Sequence, residues 1–190
     1  MYRLTDIVKM KHCLIMLLIM LSYCQKQLPI DFFKENVVIE INGSGVEVTG
    51  QYFFKNLTNQ DKRVIFYYPF PVDENHQYPE SIILDYPYTK DTAGIYFSIA
   101  IKAQRIDSFE ICYHQRTRKN QFTYITTTTK QWNRPIKNAR FTIIIPDSLQ
   151  VRFNYSPYIH EKTNHNDIFS LNIVNFNPND DLEIEWYVDP

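Results

Sequence analysis

From Asn36 to its end the chain repeats one pattern, apolar side chains at alternate positions broken by short polar turns. Ile95, Phe97, Ile99 and Ile101 alternate with Tyr96, Ser98, Ala100 and Lys102. Val46, Val48, Tyr52 and Phe54 share one face, and Glu47, Thr49 and Gln51 the other. A period of two places one face of a strand in a core and the other in water. No stretch of helical period longer than about two turns follows residue 36, which argues against helical bundles and alternating α/β folds. Strands are expected at 37–41, 46–54, 64–70, 81–86, 95–103, 109–115, 122–129, 138–145, 149–155, 168–176 and 182–188.

Composition supports this plan. The 14 Tyr and 13 Phe suit a pleated, half-buried surface. With only 4 Gly, turns needing positive φ must lean on Asn and Asp, which tolerate that region. Asn42-Gly-Ser-Gly45 is a hairpin turn, and 56–61, 73–75, 164–167 and 177–181 supply further Asn and Asp. Short strands with regular turns predict an all-β fold, an antiparallel β-sandwich of immunoglobulin-like or related type over residues 36–190. Two subdomains divided near 116–121 are the alternative. Thr126-Thr-Thr-Thr129 reads as the solvent face or edge of a strand.

The first 26 residues have a different character. Arg3, Lys9 and Lys11 precede nine unbroken apolar residues, Cys13 to Leu21, and polarity returns at Ser22. That order describes a secretory signal, and the run is shorter than the ~20 residues of a membrane span. Residues 1–24 are read as a signal peptide with a short signal helix, and 25–35, with Pro29, as a tether. Leu21-Ser22-Tyr23-Cys24 resembles the lipobox of bacterial lipoproteins, although Tyr23 stands where a small residue is usual. The resemblance implies lipid attachment at Cys24 and a membrane-anchored protein of the cell envelope; a plain signal peptide implies a periplasmic or extracellular one.

Subtracting the leader's three Lys/Arg and one Asp from the chain's 20 and 21 leaves 17 basic and 20 acidic side chains, net −3. That balance argues against nucleic acid as a partner. Beyond Cys13 and Cys24 the only cysteine is Cys112, so no disulfide framework is expected and the core must stabilise the fold alone.

Tyr52-Phe-Phe-Lys-Asn-Leu-Thr58, followed by Val64-Ile-Phe-Tyr-Tyr-Pro-Phe-Pro-Val-Asp-Glu74, is the most distinctive block. It resembles the start of vault/inter-alpha-trypsin-type domains and related bacterial extracellular β modules. The resemblance implies an adhesion or scaffold module and brings no catalytic residues.

The chemistry-bearing residues form no known motif. His160-Glu161 with His165 and Asp167 lacks zinc spacing, and Asn177-Pro-Asn-Asp-Asp181 lacks the form of a calcium loop; no metal or cofactor is expected. There is no Gly-x-Ser-x-Gly elbow. Cys112 reads as a buried inert thiol, with His114 two residues on. Asn42, Asn56 and Asn154 begin triplets of the N-glycosylation pattern. The aromatics Tyr124, Trp132, Tyr86 and Tyr88 are the candidate ligand-facing residues. The expectation is a non-enzymatic envelope or secreted module that engages a protein partner. The alternatives are a carbohydrate-binding module using Tyr and Trp faces, and a small secreted hydrolase.

Overall fold

The structure is a computed structural model that describes residues 28–43 and 45–188. Its strands are β1 (Ile30–Asn42), β2 (Gly45–Asn56), β3 (Lys62–Pro69), β4 (Ser81–Leu84), β5 (Tyr88–Asp91), β6 (Gly94–Ile101) and β7 (Ile106–Arg116). There follow β8 (Gln121–Tyr124), β9 (Ile136–Pro146), β10 (Leu149–Phe153), β11 (Ile159–Lys162), β12 (Asn166–Phe176) and β13 (Leu182–Val188). The expected signal peptide and Cys24 lie outside the described residues.

The all-β expectation holds. A wide seven-stranded sheet runs β11-β12-β9-β1-β2-β7-β4, and two three-stranded sheets run β3-β6-β5 and β10-β13-β8. The small sheets cover the same face of the wide one. Phe66 of β3 and Phe97 of β6 pack on Phe54 and Phe109 of the wide sheet, with centroids 4.7–5.4 Å apart. Tyr124 of β8 packs on Phe141, and Phe153 of β10 on Phe169. The other face of the wide sheet carries Lys34, Asn36, Glu40, Glu47, Gln51 and Arg140, as expected where one face meets water.

The β1–β2 hairpin turns through Gly43, whose φ of 63° is the left-handed conformation that glycine adopts without a Cβ penalty. Val46, Val48, Tyr52 and Phe54, and equally Ile95, Phe97, Ile99 and Ile101, are all buried as their alternation predicts.

Four features depart from expectation. β1 pairs with β9 in parallel, so the wide sheet is mixed rather than wholly antiparallel. β1 begins at Ile30, so most of the expected tether is central strand, held by pairing with β2 from Ile30↔Asn56 onward. Strand β8 ends at Tyr124, and the Thr run enters a 3-10 turn, Thr127–Trp132. The cause is local: the Asp181 carboxylate accepts the backbone N–H groups of Thr126 and Thr127 at 2.9 and 2.8 Å, drawing the chain out of the sheet. Short strands β5 and β11 were not foreseen, because neither buries an alternating face.

Candidate functional site

The most unusual part of the interior lies where the three sheets meet. It is created by a fault in β1. Ile30 and Phe32 are buried, at even positions; Val37, Ile39 and Ile41 are buried, at odd ones. The register with β2 slips between Phe32 and Lys34, so Phe33 is an extra residue. Such a bulge reverses which side chains face inward. Here it turns Glu35 into the core, 3% exposed.

Glu35 lies in register with Tyr52 of β2 and Ala139 of β9. Above this row are Tyr68 of β3 and Tyr124 of β8. The Tyr52 hydroxyl is 2.8 Å from that of Tyr68 and 2.6 Å from that of Tyr124. One phenol oxygen therefore joins the wide sheet to both small sheets. Tyr52 reaches this point because Gly50, two residues earlier on the same face, has no side chain. A Cβ there would stand 2.1 Å from the Tyr52 oxygen.

These rings border a cavity of about 80 Å³. Phe32, Tyr52, Phe54 and Phe109 line it from the wide sheet, Phe66 and Tyr68 from β3, and Trp132 from the 3-10 turn. Tyr67 and Thr128 also border it, and Tyr67 is 41% exposed, so the cavity approaches the surface. The turn carrying Trp132 is held at both ends. Thr126 Oγ donates to the Asp180 carbonyl at 3.0 Å, and Arg134 and Lys137 lie 3.2 and 3.5 Å from the buried Asp31 carboxylate. The Arg134–Asp31 approach is an ion pair rather than an aligned hydrogen bond, since Asp31 Oδ1 has no hydrogen-bond partner.

Two other buried polar atoms around the cavity have no hydrogen-bond partner, Glu35 Oε1 and Thr129 Oγ. Burial without a counter-charge pushes the Glu35 carboxyl up to about 8. The phenols of Tyr52, Tyr68 and Tyr124 are held well above their usual range, first by burial and further by repulsion from Glu35.

Of the four aromatics singled out in the sequence, two come together here. Tyr124 and Trp132 both line the cavity, but Tyr124 is 5% exposed and forms no open stacking platform. Its hydroxyl is consumed by the tyrosine cluster. Tyr86 stacks on Phe97, with centroids 6.3 Å apart. Tyr88 lies in β5 and borders a second, shallow depression, with Arg63, Ile65, Pro87, Tyr96 and Ser98.

That depression belongs to the outer face of β3-β6-β5. Ile65 is 75% exposed, and Tyr67 and Tyr96, opposite each other across the strands, are 41% and 44% exposed. The two tyrosine rings meet at 39° with centroids 4.7 Å apart. Arg63 borders the patch, its Nε donating to Ser98 Oγ at 3.2 Å.

The remaining polar clusters are occupied by structural bonds. His76 is buried; Nδ1 lies 2.8 Å from Asp73 and Nε2 accepts the Thr123 N–H at 3.2 Å, which fits the neutral ring protonated on Nδ1. His160 stacks on Phe169 and bonds Asp167 at 2.8 Å. Cys112 is half-buried rather than buried. Asn56 is fully buried, its Nδ2 donating to the carbonyls of Gln60 and Ile101, which makes it a turn-former rather than a glycan acceptor. Among the described residues no three His, Cys, Asp or Glu side chains gather as a metal site, and no helix is long and apolar enough to cross a membrane.

No family profile and no curated protein matches the chain. Solved structures do. A Legionella pneumophila protein, named for a conjectured role in nutrient binding, has a TM-score of 0.64 at 12% identity, over 85% of this chain and 68% of that one. The M1 zinc metallopeptidase of Deinococcus radiodurans has a TM-score of 0.50 at 7% identity, over 84% of this chain. This chain spans 43% of that peptidase's length. Identities this low show a shared β architecture and nothing of activity.

Proposed function

We propose that this chain is a non-enzymatic, exported binding module of sandwich type, anchored in the cell envelope through Cys24, that docks a protein partner. The observation that carries the reading is the outer face of β3-β6-β5, where Ile65, Tyr67 and Tyr96 stand exposed together. Contiguous apolar surface with a polar rim marks interaction sites. Tyrosine and arginine, both present here, are enriched in the anchoring contacts of interfaces. Two tyrosines at 39° make a poor platform for a flat sugar ring and a good wedge for an aliphatic or aromatic side chain. The partner's matching surface is accordingly apolar, with a carboxylate placed to meet Arg63.

The test is site-specific photo-crosslinking in the native host. A crosslinker at Ile65 is compared with one at Val174, which is 71% exposed on the opposite face of the molecule. A single discrete adduct at Ile65, absent at Val174 and abolished by Tyr96→Ser, supports docking. Equal labelling at both positions, or adducts with copies of this chain alone, defeats it. Intact mass of the membrane fraction tests the address, since a chain beginning at Cys24 with added acyl groups is expected.

A further inference from the structure

We propose that the cavity beneath Trp132 is a binding site for a small alkylammonium group, which donates to the Glu35 carboxylate while its carbon substituents lie against the surrounding rings. This site meets the docking face only at Tyr67, and either can fail alone.

A buried polar atom without a partner destabilises the fold, and more so when charged. Glu35 Oε1 and Thr129 Oγ are two such atoms bordering one cavity. Glu35 faces inward only because β1 carries a bulge, and bulges next to sites serve to re-aim a side chain. Without it Glu35 would lie on the solvent face, where water would satisfy its carboxyl.

An acceptor without a donor calls for a ligand with N–H or O–H groups. A carboxylate in an apolar enclosure calls for positive charge, and no Lys or Arg lines the cavity. Aromatic rings favour cations as well as alkyl groups. Phe32, Tyr52, Phe54, Phe66, Phe109 and Trp132 supply them. A fully apolar ligand would leave both oxygens orphaned, and an anion would meet Glu35.

A cavity of about 80 Å³ is smaller than the ~150 Å³ that accepts benzene. It suits a group of three to five heavy atoms, either a free amine or the end of a lysine side chain entering past Tyr67 and Thr128. The site holds its charge balance through Glu35: a bound ammonium favours the ionised carboxylate, so binding releases a proton while Glu35 is neutral in the free protein. The titratable groups that face Glu35 are Tyr52, Tyr68, Tyr124 and Tyr155, all phenols that stay neutral in this range.

The experiment uses the full chain and follows the fluorescence of Trp132, with Trp132→Phe to identify the signal against Trp186. Isopropylammonium chloride is titrated against its neutral isostere propan-2-ol, with sodium chloride as salt control. Saturable binding of the amine is expected, at least tenfold weaker for propan-2-ol and for Glu35→Gln, and tightening more than tenfold from pH 6 to pH 8. Thr129→Val, a near-isosteric change, is expected to weaken binding a few-fold and covers the case in which Glu35→Gln fails to fold. Nα-acetyl-lysine methylamide as a second probe separates the sources: tighter binding than the free amine assigns a lysine side chain, and weaker binding a free amine. No saturable signal with either cation, or equal binding of propan-2-ol, overturns the proposal and leaves a cavity that holds water.

Discussion

Two regions of one interior are built from opposite materials. Ile39, Ile41, Val46, Val48 and Ile143 lie in register on the inner face of the wide sheet, each 0% exposed. Farther along the same face, Phe32, Glu35, Tyr52, Phe54 and Phe109 surround a cavity and bury hydroxyls and a carboxyl. The aliphatic region gains stability in proportion to the area it hides. The aromatic region gives part of that up, since it contains orphaned oxygens and a cavity. Stability alone would replace Glu35 by a leucine. A strand that keeps a bulge and a buried acid in its most central position is therefore shaped by something other than packing.

Deleting a large apolar side chain gives the largest effect. Phe141 is fully buried and touches Tyr124, Tyr155 and Phe176. Phe141→Ala should cost about 3–5 kcal/mol, read from denaturant unfolding; a loss below 1 kcal/mol would mean the core reorganises freely.

Glu35 gives the next largest effect, through pH. Its carboxyl ionises near the usual value of 4.5 when unfolded and at about 8 when folded. The folded state therefore holds a proton that the unfolded state releases, and stability falls as pH rises between those values. The slope approaches about 1.4 kcal/mol per pH unit, or about 3 kcal/mol from pH 5 to pH 7. Glu35→Gln should flatten the profile, and an unchanged profile would show that Glu35 is solvated.

Tyr52→Phe removes the oxygen shared by Tyr68 and Tyr124 and should cost about 1–3 kcal/mol. Hydrogen exchange in β3 and β8 should rise together, because the hydroxyl joins both to β2; a rise in one sheet alone would deny the bridging role. Smallest of all, Ile65→Ser should alter stability by no more than about 0.5 kcal/mol, while abolishing the adduct formed by a crosslinker placed instead at Thr89, which borders the same depression. A large loss of stability would place Ile65 in the core rather than on an interface.

Much of this was legible in the chain. The alternation of 46–54 and 95–101 located strands and their buried faces, because one face meets apolar neighbours and the other water. Tyr124 and Trp132 were singled out as ligand-facing, and the structure sets both at the cavity, though inside rather than on a surface. Glu35 was missed. It stands beside Lys34 and Asn36, and in that company reads as part of a polar tether. A signal was present: Ile30 and Phe32 are even-numbered, Val37, Ile39 and Ile41 odd-numbered, and a change of parity within one strand implies an inserted residue. The Thr run was misread because strand propensity cannot reveal that Asp181, distant in sequence, captures two of its N–H groups. The parallel β1–β9 pairing was hidden for the same reason, since alternation fixes faces and not neighbours.

That pairing governs the order in which the molecule can assemble. Lys34 meets Asn138, 104 positions later. The β1–β2 hairpin closes locally and β7 extends it, but β1 keeps a bare edge until β9 arrives. Chains dominated by such distant contacts fold slowly. A hydrophobic strand with an unsatisfied backbone edge is meanwhile open to wrong partners, including other copies of itself. The middle of the finished sheet is thus the exposed flank of the half-made one, and this protein's hazard of aggregation belongs to the interval before β9 docks.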